Sequence, residues 1–367
     1  MSSDHATLER SMARAVRLAR AGLGATYPNP CVGAVVARRG EVLGAARSSP
    51  TGGAHAEVRA LRRAGKKAKG ATLVVTLEPC HHVGRTGPCT AAIIKAGIRR
   101  VVVGVRDPAP HVDGRGIRAL RRAGIEVVRG VGEQACREVH EHYLHHVRTG
   151  RPFVTLKAGT SLDGRIATAS GDSRWITSEI ARKDVHRLRA RHHAIAVGAQ
   201  TALADDPRLN VRLVRGVDPV PVIFDGRLRI GAASASPVQL LRAGTLVLHT
   251  AKASRAARAR VMATGASLVE VADDGQGRVS LPAAVEALGQ REIRSLMVEG
   301  GGRLHGAFVQ AGLWQRMFLY QAPRILGEGR PVFGGVGWDT VEQSPQVRVV
   351  KRRTMGVDLL TIIEPLR

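Results

Sequence analysis

Thr76-Leu77-Glu78-Pro79-Cys80-His81-His82-Val83-Gly84-Arg85-Thr86-Gly87-Pro88-Cys89 is the stretch that decides how this 367-residue chain is read. Its first two residues close an apolar run, Ala71 to Leu77, that reads as a buried strand. Pro79 follows the end of that run, and Thr90 to Ala96 reads as a helix stopped by Gly97. Upstream, His55-Ala56-Glu57 opens the helical pattern of Ala54 to Ala64. One histidine and two cysteines are thus offered from the ends of regular elements. Zinc takes four tetrahedral ligands, and a set of three leaves one place for water. Cys80 and Cys89 are expected beside a helix N-terminus, where the dipole favours thiolate. Glu57, two residues past His55, is placed to carry protons without binding the metal.

Outward from this stretch, helix and strand signals alternate. Leu8 to Gly22 and Gly116 to Ala123 read as helices, and Val32 to Ala37, Arg100 to Val105 and Ile125 to Arg129 as strands. Glu133 to Val147 reads as one histidine-rich helix, broken by Arg148-Thr149-Gly150-Arg151-Pro152. His140, His142, His145 and His146 are read as its solvated face. Beyond the break, strands are expected at Phe153 to Ala158, Ala194 to Gly198, Val220 to Phe224, Thr245 to His249, Leu268 to Val271, Ser295 to Val298 and Met317 to Gln321. The loop Ala272 to Arg278 reads as exposed. The pattern is that of α/β layers around a mainly parallel or mixed sheet, in two domains that meet near 148–152.

Composition narrows the function. Aromatic residues are 3% of the chain against 44% hydrophobic, so the core is aliphatic. No apolar run approaches the roughly 20 residues a membrane span needs. Met1 to Arg20 is polar and basic with no apolar leader, so a cytoplasmic location is expected. The net charge of +26 is scattered along the whole chain and is not interleaved with aromatics. It reads as an arginine-rich composition rather than a nucleic-acid footprint. Four cysteines in such a chain suggest metal chemistry before disulfides, with Cys31 as buried filler and Cys136 inert in the helix before the break.

The second half carries its own constellation. Lys157-Ala158-Gly159-Thr160-Ser161 joins a strand to a polar loop, and Gly171-Asp172-Ser173-Arg174-Trp175-Ile176-Thr177 follows. Gly198-Ala199-Gln200-Thr201 leads to Asp205-Asp206-Pro207. Val298-Glu299-Gly300-Gly301-Gly302-Arg303-Leu304-His305-Gly306 reads as a strand feeding three glycines and a helix. Such a turn exposes backbone N–H groups to an anion such as a dinucleotide phosphate, although the Gly-x-Gly-x-x-Gly fingerprint is absent. Arg189 and Arg212 form a candidate clamp for a substrate phosphate.

His-x-Glu followed by Pro-Cys…Cys is the signature of zinc deaminases, here with eight residues between the thiols instead of two. This longer loop, together with Tyr27-Pro28-Asn29-Pro30-Cys31-Val32-Gly33 and Asp107-Pro108-Ala109-Pro110…Gly114-Arg115-Gly116, resembles the bifunctional deaminase–reductase family of bacterial riboflavin biosynthesis. Lys157 to Arg212 resembles its reductase half, so that the resemblance covers nearly the whole chain.

The resemblance implies an α/β chain with a cytidine-deaminase-like three-layer α/β/α domain over 1–148 and a dihydrofolate-reductase-like α/β domain over 152–367. It implies zinc on His55, Cys80 and Cys89, with Glu57 as proton carrier. The implied reactions are hydrolytic deamination of 2,5-diamino-6-(5-phosphoribosylamino)pyrimidin-4(3H)-one, then NADPH reduction of the ribosyl to the ribityl side chain. NADPH contacts are implied at Gly159, Trp175, Thr201 and Asp205, and along Gly301, Gly302, Arg303, Leu304, His305, Gly306 and Ala307. Substrate contacts are implied at Asn29, Ser173, Arg189, Leu209, Arg212 and Glu299, with Lys157 and Asp205 nearest the reductive chemistry. Arg85 is a further candidate for the substrate phosphate, and His81 and His82 for polar substrate or loop contacts. The implied partner is a phosphorylated pyrimidine, with no specific nucleic acid and no membrane, and the implied assembly is a homo-oligomer, a dimer or tetramer. The chain departs from the family's pattern at His81, Val83, Ala109 and Gly226, which stand where Ser, His, Asn and Ser are usual. Two alternatives remain at this stage. One is a related deaminase–reductase acting on a modified pyrimidine. The other is a nucleic-acid deaminase, against which the thiol spacing and the whole second half argue.

Overall fold

The valine-rich runs of the first half pair into a five-stranded sheet. β1 (Gly33–Arg38) lies between β2 (Glu41–Arg47) and β3 (Thr72–Leu77), antiparallel to both. β4 (Arg100–Val105) and β5 (Glu126–Arg129) continue in parallel from β3, giving the order β2-β1-β3-β4-β5. Alternate residues serve opposite faces. Ala34, Val36, Leu73, Val75, Val101 and Val103 pack under α2 (Ala56–Ala64), α3 (Cys89–Lys95) and α4 (Arg115–Arg122). Val35, Val74 and Val102 pack under α1 (Ser3–Arg20) and the two helices that end this half. Burial on both faces is why these strands read as continuous apolar runs.

The computed structural model describes residues 3–82, 87–232 and 238–366. The chain divides into two compact units, Met1–Gly150 and Arg151–Arg367. The end of the first unit corrects the sequence reading. It is not one helix but α5 (Glu133–Val139) and α6 (Glu141–Thr149), broken at His140. His140 and His146 are buried, and His140 Nε2 lies 2.9 Å from Thr76 Oγ1. The expected solvated histidine face therefore turns inward in part: an imidazole that finds a hydroxyl partner can be buried neutral at modest cost.

The second unit is built on a nine-stranded sheet in the order β11-β10-β9-β8-β12-β6-β13-β16-β15. β6 (Phe153–Thr160), β8 (Ala194–Gly198), β9 (Val220–Phe224), β10 (Leu246–His249), β11 (Ser267–Glu270), β12 (Ser295–Val298) and β13 (Arg316–Gln321) run parallel. α7 (Glu179–Arg189), α8 (Ala199–Asp205) and α9 (Arg255–Ala263) cover one face. α10 (Leu281–Gln290) and α11 (Gly302–Gln310) cover the other. The antiparallel hairpin of β15 (Val347–Met355) and β16 (Asp358–Pro365) extends the edge beyond β13. Two short segments, β7 (Arg165–Ala167) and β14 (Arg330–Pro331), pair separately.

The hairpin β15–β16 and the strand β2 are not announced by the sequence pattern. β2 contains Gly44, Ala45 and Ala46, and β15 is exposed along almost its whole length and rich in arginine. Edge strands carry no two-sided apolar run to mark them. In both units the parallel strands deliver their C-terminal tips to one side of the sheet, where α/β proteins gather ligands.

Candidate functional site

Three tips and helix starts in the first unit bring His55, Cys80 and Cys89 together, with their ligand atoms all within 4.8 Å of one another. His55 is the N-cap of α2, Cys80 lies three residues past β3, and Cys89 opens α3. His55 Nδ1 stands 3.1 Å from Cys89 Sγ and 3.6 Å from Cys80 Sγ. The Cys89 backbone N–H donates to Cys80 Sγ at 3.4 Å, so the start of α3 does point at the thiols. The Cys80 thiol is pushed well below the usual thiol range by the hydrogen bond from Cys89, with His55 adding to the effect against burial. Cys89 is pushed up by the same shared contact and by burial.

Glu57 lies on the first turn of α2, 3% exposed, and burial raises its carboxyl to about 7. Its Oε2 is buried with no hydrogen-bond partner among the described residues. One nitrogen and two thiol sulfurs suit zinc, and an orphaned carboxylate oxygen beside them is what a fourth, exchangeable ligand would satisfy.

The surrounding loops are placed as follows. Asn29 is exposed, with its backbone N–H donating to Thr26 O at 2.9 Å. His81 Nδ1 lies 2.9 Å from Thr90 Oγ1, a loop contact. His82 meets His111 edge to face, centroids 4.7 Å apart. Ala109 is buried and its N–H donates to Asp107 Oδ1 at 2.9 Å. Val83, Gly84 and Arg85 lie outside the described residues. Cys31 and Cys136 are buried, and burial raises them to about 11 and about 12.

The second unit presents a cavity of about 1230 Å³. It spans the tips of β6, β12, β8 and β9, which are neighbours in the sheet. Three strand spacings make about 14 Å, a span suited to a dinucleotide. On its wall stand Gly159, Ser173, Trp175, Thr201 and Asp205, and then Gly301, Gly302, Arg303, Leu304, His305 and Ala307. Gly301 has φ +72°, and a Cβ on Gly302 would come within 2.1 Å of Pro331 O. The glycines thus let the backbone make a cradle at the start of α11 that a side chain would fill, and helix N-terminal N–H groups there suit a phosphate.

At the β6–β12 end sits an ion cluster. Arg189 Nε and Nη2 donate to Glu299 Oε1 and Oε2, each at 2.7 Å. Lys157 Nζ is 3.8 Å from Glu299 Oε2. Burial favours a neutral Glu299, but Arg189 and then Lys157 outweigh it and hold the carboxyl down at about 2. Burial lowers Lys157 from the usual ammonium range, with Glu299 opposing it. Arg189 Nη1 donates to Asn210 O at 3.0 Å, and Arg212 Nη1 to Asn210 Oδ1 at 3.1 Å, so the two arginines share a neighbour. The Arg212 backbone N–H donates to His186 Nδ1 at 3.2 Å.

Three site expectations meet a different placement. Gly306 does not line the cavity: a Cβ there would lie 2.6 Å from Gly334 O, so the glycine serves close packing. Leu209 has φ +50° and a side chain 2% exposed in the core, which leaves only its backbone for a ligand. Asp205 lines the cavity but does not join the Lys157–Glu299–Arg189 cluster, and it makes no ion pair among the described residues. The 272–278 loop is not simply exposed, since Asp274, Gln276, Gly277 and Arg278 wall the cavity beside Asp225, Gly226 and Arg227. No sequence signal links these two segments. A Cβ on Gly226 would lie 2.4 Å from Gly277 O, so the departure from serine there accompanies a close backbone crossing.

Comparison with known proteins bears on both units. Residues 5–105 match the cytidine and deoxycytidylate deaminase zinc-binding region, and residues 152–361 match the RibD C-terminal domain. The riboflavin biosynthesis protein RibD of Bacillus amyloliquefaciens is 41% identical, over 96% of this chain and 94% of its own. That of Escherichia coli is 39% identical, over 96% and 97%. Among solved structures, Acinetobacter baumannii RibD aligns with a TM-score of 0.88 at 34% identity, over 99% of this chain and 100% of that one. A diaminohydroxyphosphoribosylaminopyrimidine deaminase/5-amino-6-(5-phosphoribosylamino)uracil reductase from Thermotoga maritima aligns with a TM-score of 0.85 at 36% identity, with the same coverage. With both of its halves matched in order and over nearly its full length, the chain belongs to the RibD family of riboflavin biosynthesis proteins.

Proposed function

We propose that this chain carries out two successive reactions on one pyrimidine ribotide. The unit Met1–Gly150 deaminates 2,5-diamino-6-(5-phosphoribosylamino)pyrimidin-4(3H)-one, and the unit Arg151–Arg367 reduces the ribosyl group of the product to ribityl with NADPH. One observation carries the reading: a three-ligand His55/Cys80/Cys89 set beside an orphaned, buried Glu57 oxygen, in the same chain as a dinucleotide-sized cavity ending on Lys157 and Glu299.

His55, Cys80 and Cys89 would hold zinc, which when bound would act as a Lewis acid and make hydroxide available near neutral pH. Glu57 takes the proton of the attacking water, gives it to the ring nitrogen, and then assists departure of ammonia. Its burial keeps the relay away from bulk solvent. Asn29 contacts the pyrimidine from the neighbouring loop.

In the second unit NADPH, when bound, would supply the hydride for the sugar C1′. Gly301 and Gly302 would hold the cofactor at the glycine cradle, and Gly159, Trp175, Thr201 and Asp205 line the same cavity. Lys157 holds a proton for the sugar ring oxygen as the ring opens to an imine at C1′. Glu299, kept anionic by Arg189, orients Lys157 and accepts a substrate hydroxyl. Arg212 and Ser173 supply donors to the sugar phosphate, and Leu209 offers its backbone. The partner is a phosphorylated small molecule. Among the described residues no helix is long and apolar enough to cross a membrane. A cytoplasmic homo-oligomer without a specific nucleic-acid partner completes the reading.

The test is a coupled assay on the purified full chain with the diaminopyrimidine ribotide and quantified zinc. Ammonia release without NADPH, followed by NADPH oxidation when it is added, is the expected result. Bound zinc with neither signal would remove the substrate assignment.

A further inference from the structure

Two residues before Cys80 lies a carboxylate that the deamination chemistry leaves unused. Glu78 is 4% exposed and pairs with no cation among the described residues. Its partners are backbone N–H groups. Oε2 accepts from Asp107 at 3.3 Å and Gly114 at 3.1 Å, and Oε1 accepts from Ile117 at 3.1 Å. Gly114 is the N-cap of α4 and Ile117 its third residue. A glycine N-cap has no side chain to satisfy those orphan donors, so Glu78 caps the helix from a different strand. A negative charge is also favoured there by the helix dipole.

The same junction is packed to backbone contact. A Cβ on Gly116 would lie 2.0 Å from Pro79 O, between Glu78 and Cys80. Between Asp107 and Gly114 the chain forms a loop, tied internally by Asp107. The Asp107 carboxylate accepts from Ala109 N–H at 2.9 Å and from Tyr143 OH at 3.0 Å to each oxygen. His111, in this loop, meets His82, two residues past Cys80. The loop therefore hangs from Glu78 and forms a wall beside the segment that carries the metal ligand.

We propose that Glu78 is a positioning residue of the deamination. It fixes the Asp107–Gly114 loop against the strand tip that bears Cys80, so that the loop wall and the metal centre meet the pyrimidine in one fixed register. The role in catalysis rests on the deaminase reading above. The fixing of the loop does not.

The experiment compares wild type with Glu78→Gln in the full, zinc-loaded chain. A glutamine keeps one acceptor oxygen and turns an N–H₂ donor towards a backbone N–H, so at least one bond is lost. Amide exchange followed by mass spectrometry is expected to speed up about tenfold over 106–118 and to stay unchanged in the second unit. Zinc content is expected to stay at the wild-type level. KM for the pyrimidine ribotide is expected to rise about tenfold, with kcat within about threefold of wild type. Gly116→Ala, which forces the same junction apart with the carboxylate intact, is expected to raise KM as well. Unchanged exchange over 106–118 in Glu78→Gln overturns the strap. Faster exchange with unchanged KM, or a loss of activity that only tracks lost zinc or a lower melting temperature, overturns the positioning role. A wild-type protein that releases no ammonia sinks the deaminase reading and with it the catalytic role, while the exchange data still decide the strap.

Discussion

The metal centre of the first unit and the cavity of the second are built on different plans. The metal centre takes its three ligands and Glu57 from 35 consecutive positions, His55 to Cys89, at the start of α2, past the tip of β3 and at the start of α3. Each ligand is placed by a local device: an N-cap position, a proline after a strand, the first turn of a helix. The ion cluster at the cavity's end takes Lys157, Arg189 and Glu299 from positions spread over more than a hundred residues. They meet because β6 and β12 are adjacent in the sheet and α7 packs on the face where Met297 of β12 lies. A local site has few points of failure, each severe. A distributed site depends on buried charge compensation, since removing one partner leaves the others desolvated and unpaired.

Glu57→Gln strikes the local site where no other residue can substitute. Deamination is expected to fall by about a thousandfold or more, with zinc content and NADPH-dependent reduction of the deaminated substrate unchanged. Near-normal ammonia release would take Glu57 out of the proton path and remove the contrast between the sites.

Arg189→Met tests the distributed site. Glu299 loses its bidentate partner while remaining 6% exposed, and among the described residues Lys157 at 3.8 Å is its one remaining ion-pair partner. The loss is expected to be about 3 kcal/mol or more from the stability of the second unit, together with loss of reduction. All three tryptophans, Trp175, Trp314 and Trp338, lie in that unit, so their fluorescence in urea reads it alone. An unchanged urea midpoint would mean that the cluster is not under desolvation stress.

Acid titration sharpens the same point. Burial lowers His186, His192 and His305 to about 4, so in the folded second unit they stay neutral while the unfolded chain binds protons below about 6.5. Their pKa values are depressed by folding. Stability is therefore full above about pH 6.5 and is lost as pH falls towards 4, with a slope of up to about 1.4 kcal/mol per pH unit for each histidine. Glu299, held at about 2, follows the same sign: its contribution is full above the ordinary glutamate range and is lost only as pH falls further. A urea midpoint that holds steady from pH 6.5 to 4.5 would show that these groups titrate alike in both states.

Gly226→Ser is the mildest probe. It restores the residue usual at this position, but its Cβ would lie 2.4 Å from Gly277 O and 3.0 Å from Arg278 Cα. Overpacking of this kind costs about 1–3 kcal/mol. KM for NADPH is expected to rise several-fold through displacement of the 276–278 wall, not to fall. A lower KM would show that the loop yields and that the hydroxyl gains a cofactor contact.

The difference in legibility between the two sites follows from the same geometry. His55, Glu57, Cys80 and Cys89 were readable because strand ends and helix starts fix side chains at short sequence range, where spacing carries meaning. The strands of both cores were readable because two-sided burial leaves unbroken apolar runs. Arg189 was legible as a candidate phosphate clamp and Glu299 as the residue just past the end of a strand, but nothing in their neighbourhoods announces a bidentate pair between them.

The chain's sequence by itself determined the α/β alternation, the two-part organisation and the metal donor set, since each is written in local periodicity and spacing. Tertiary structure alone decided that Gly306 packs a loop, that Leu209 hides its side chain, and that His140 turns inward. It alone decided that Glu78 caps a helix from another strand, and that the 276–278 segment walls the cavity. Each of these depends on which strand lies beside which, and that order is set by the collective burial of both sheet faces rather than by any one stretch of residues.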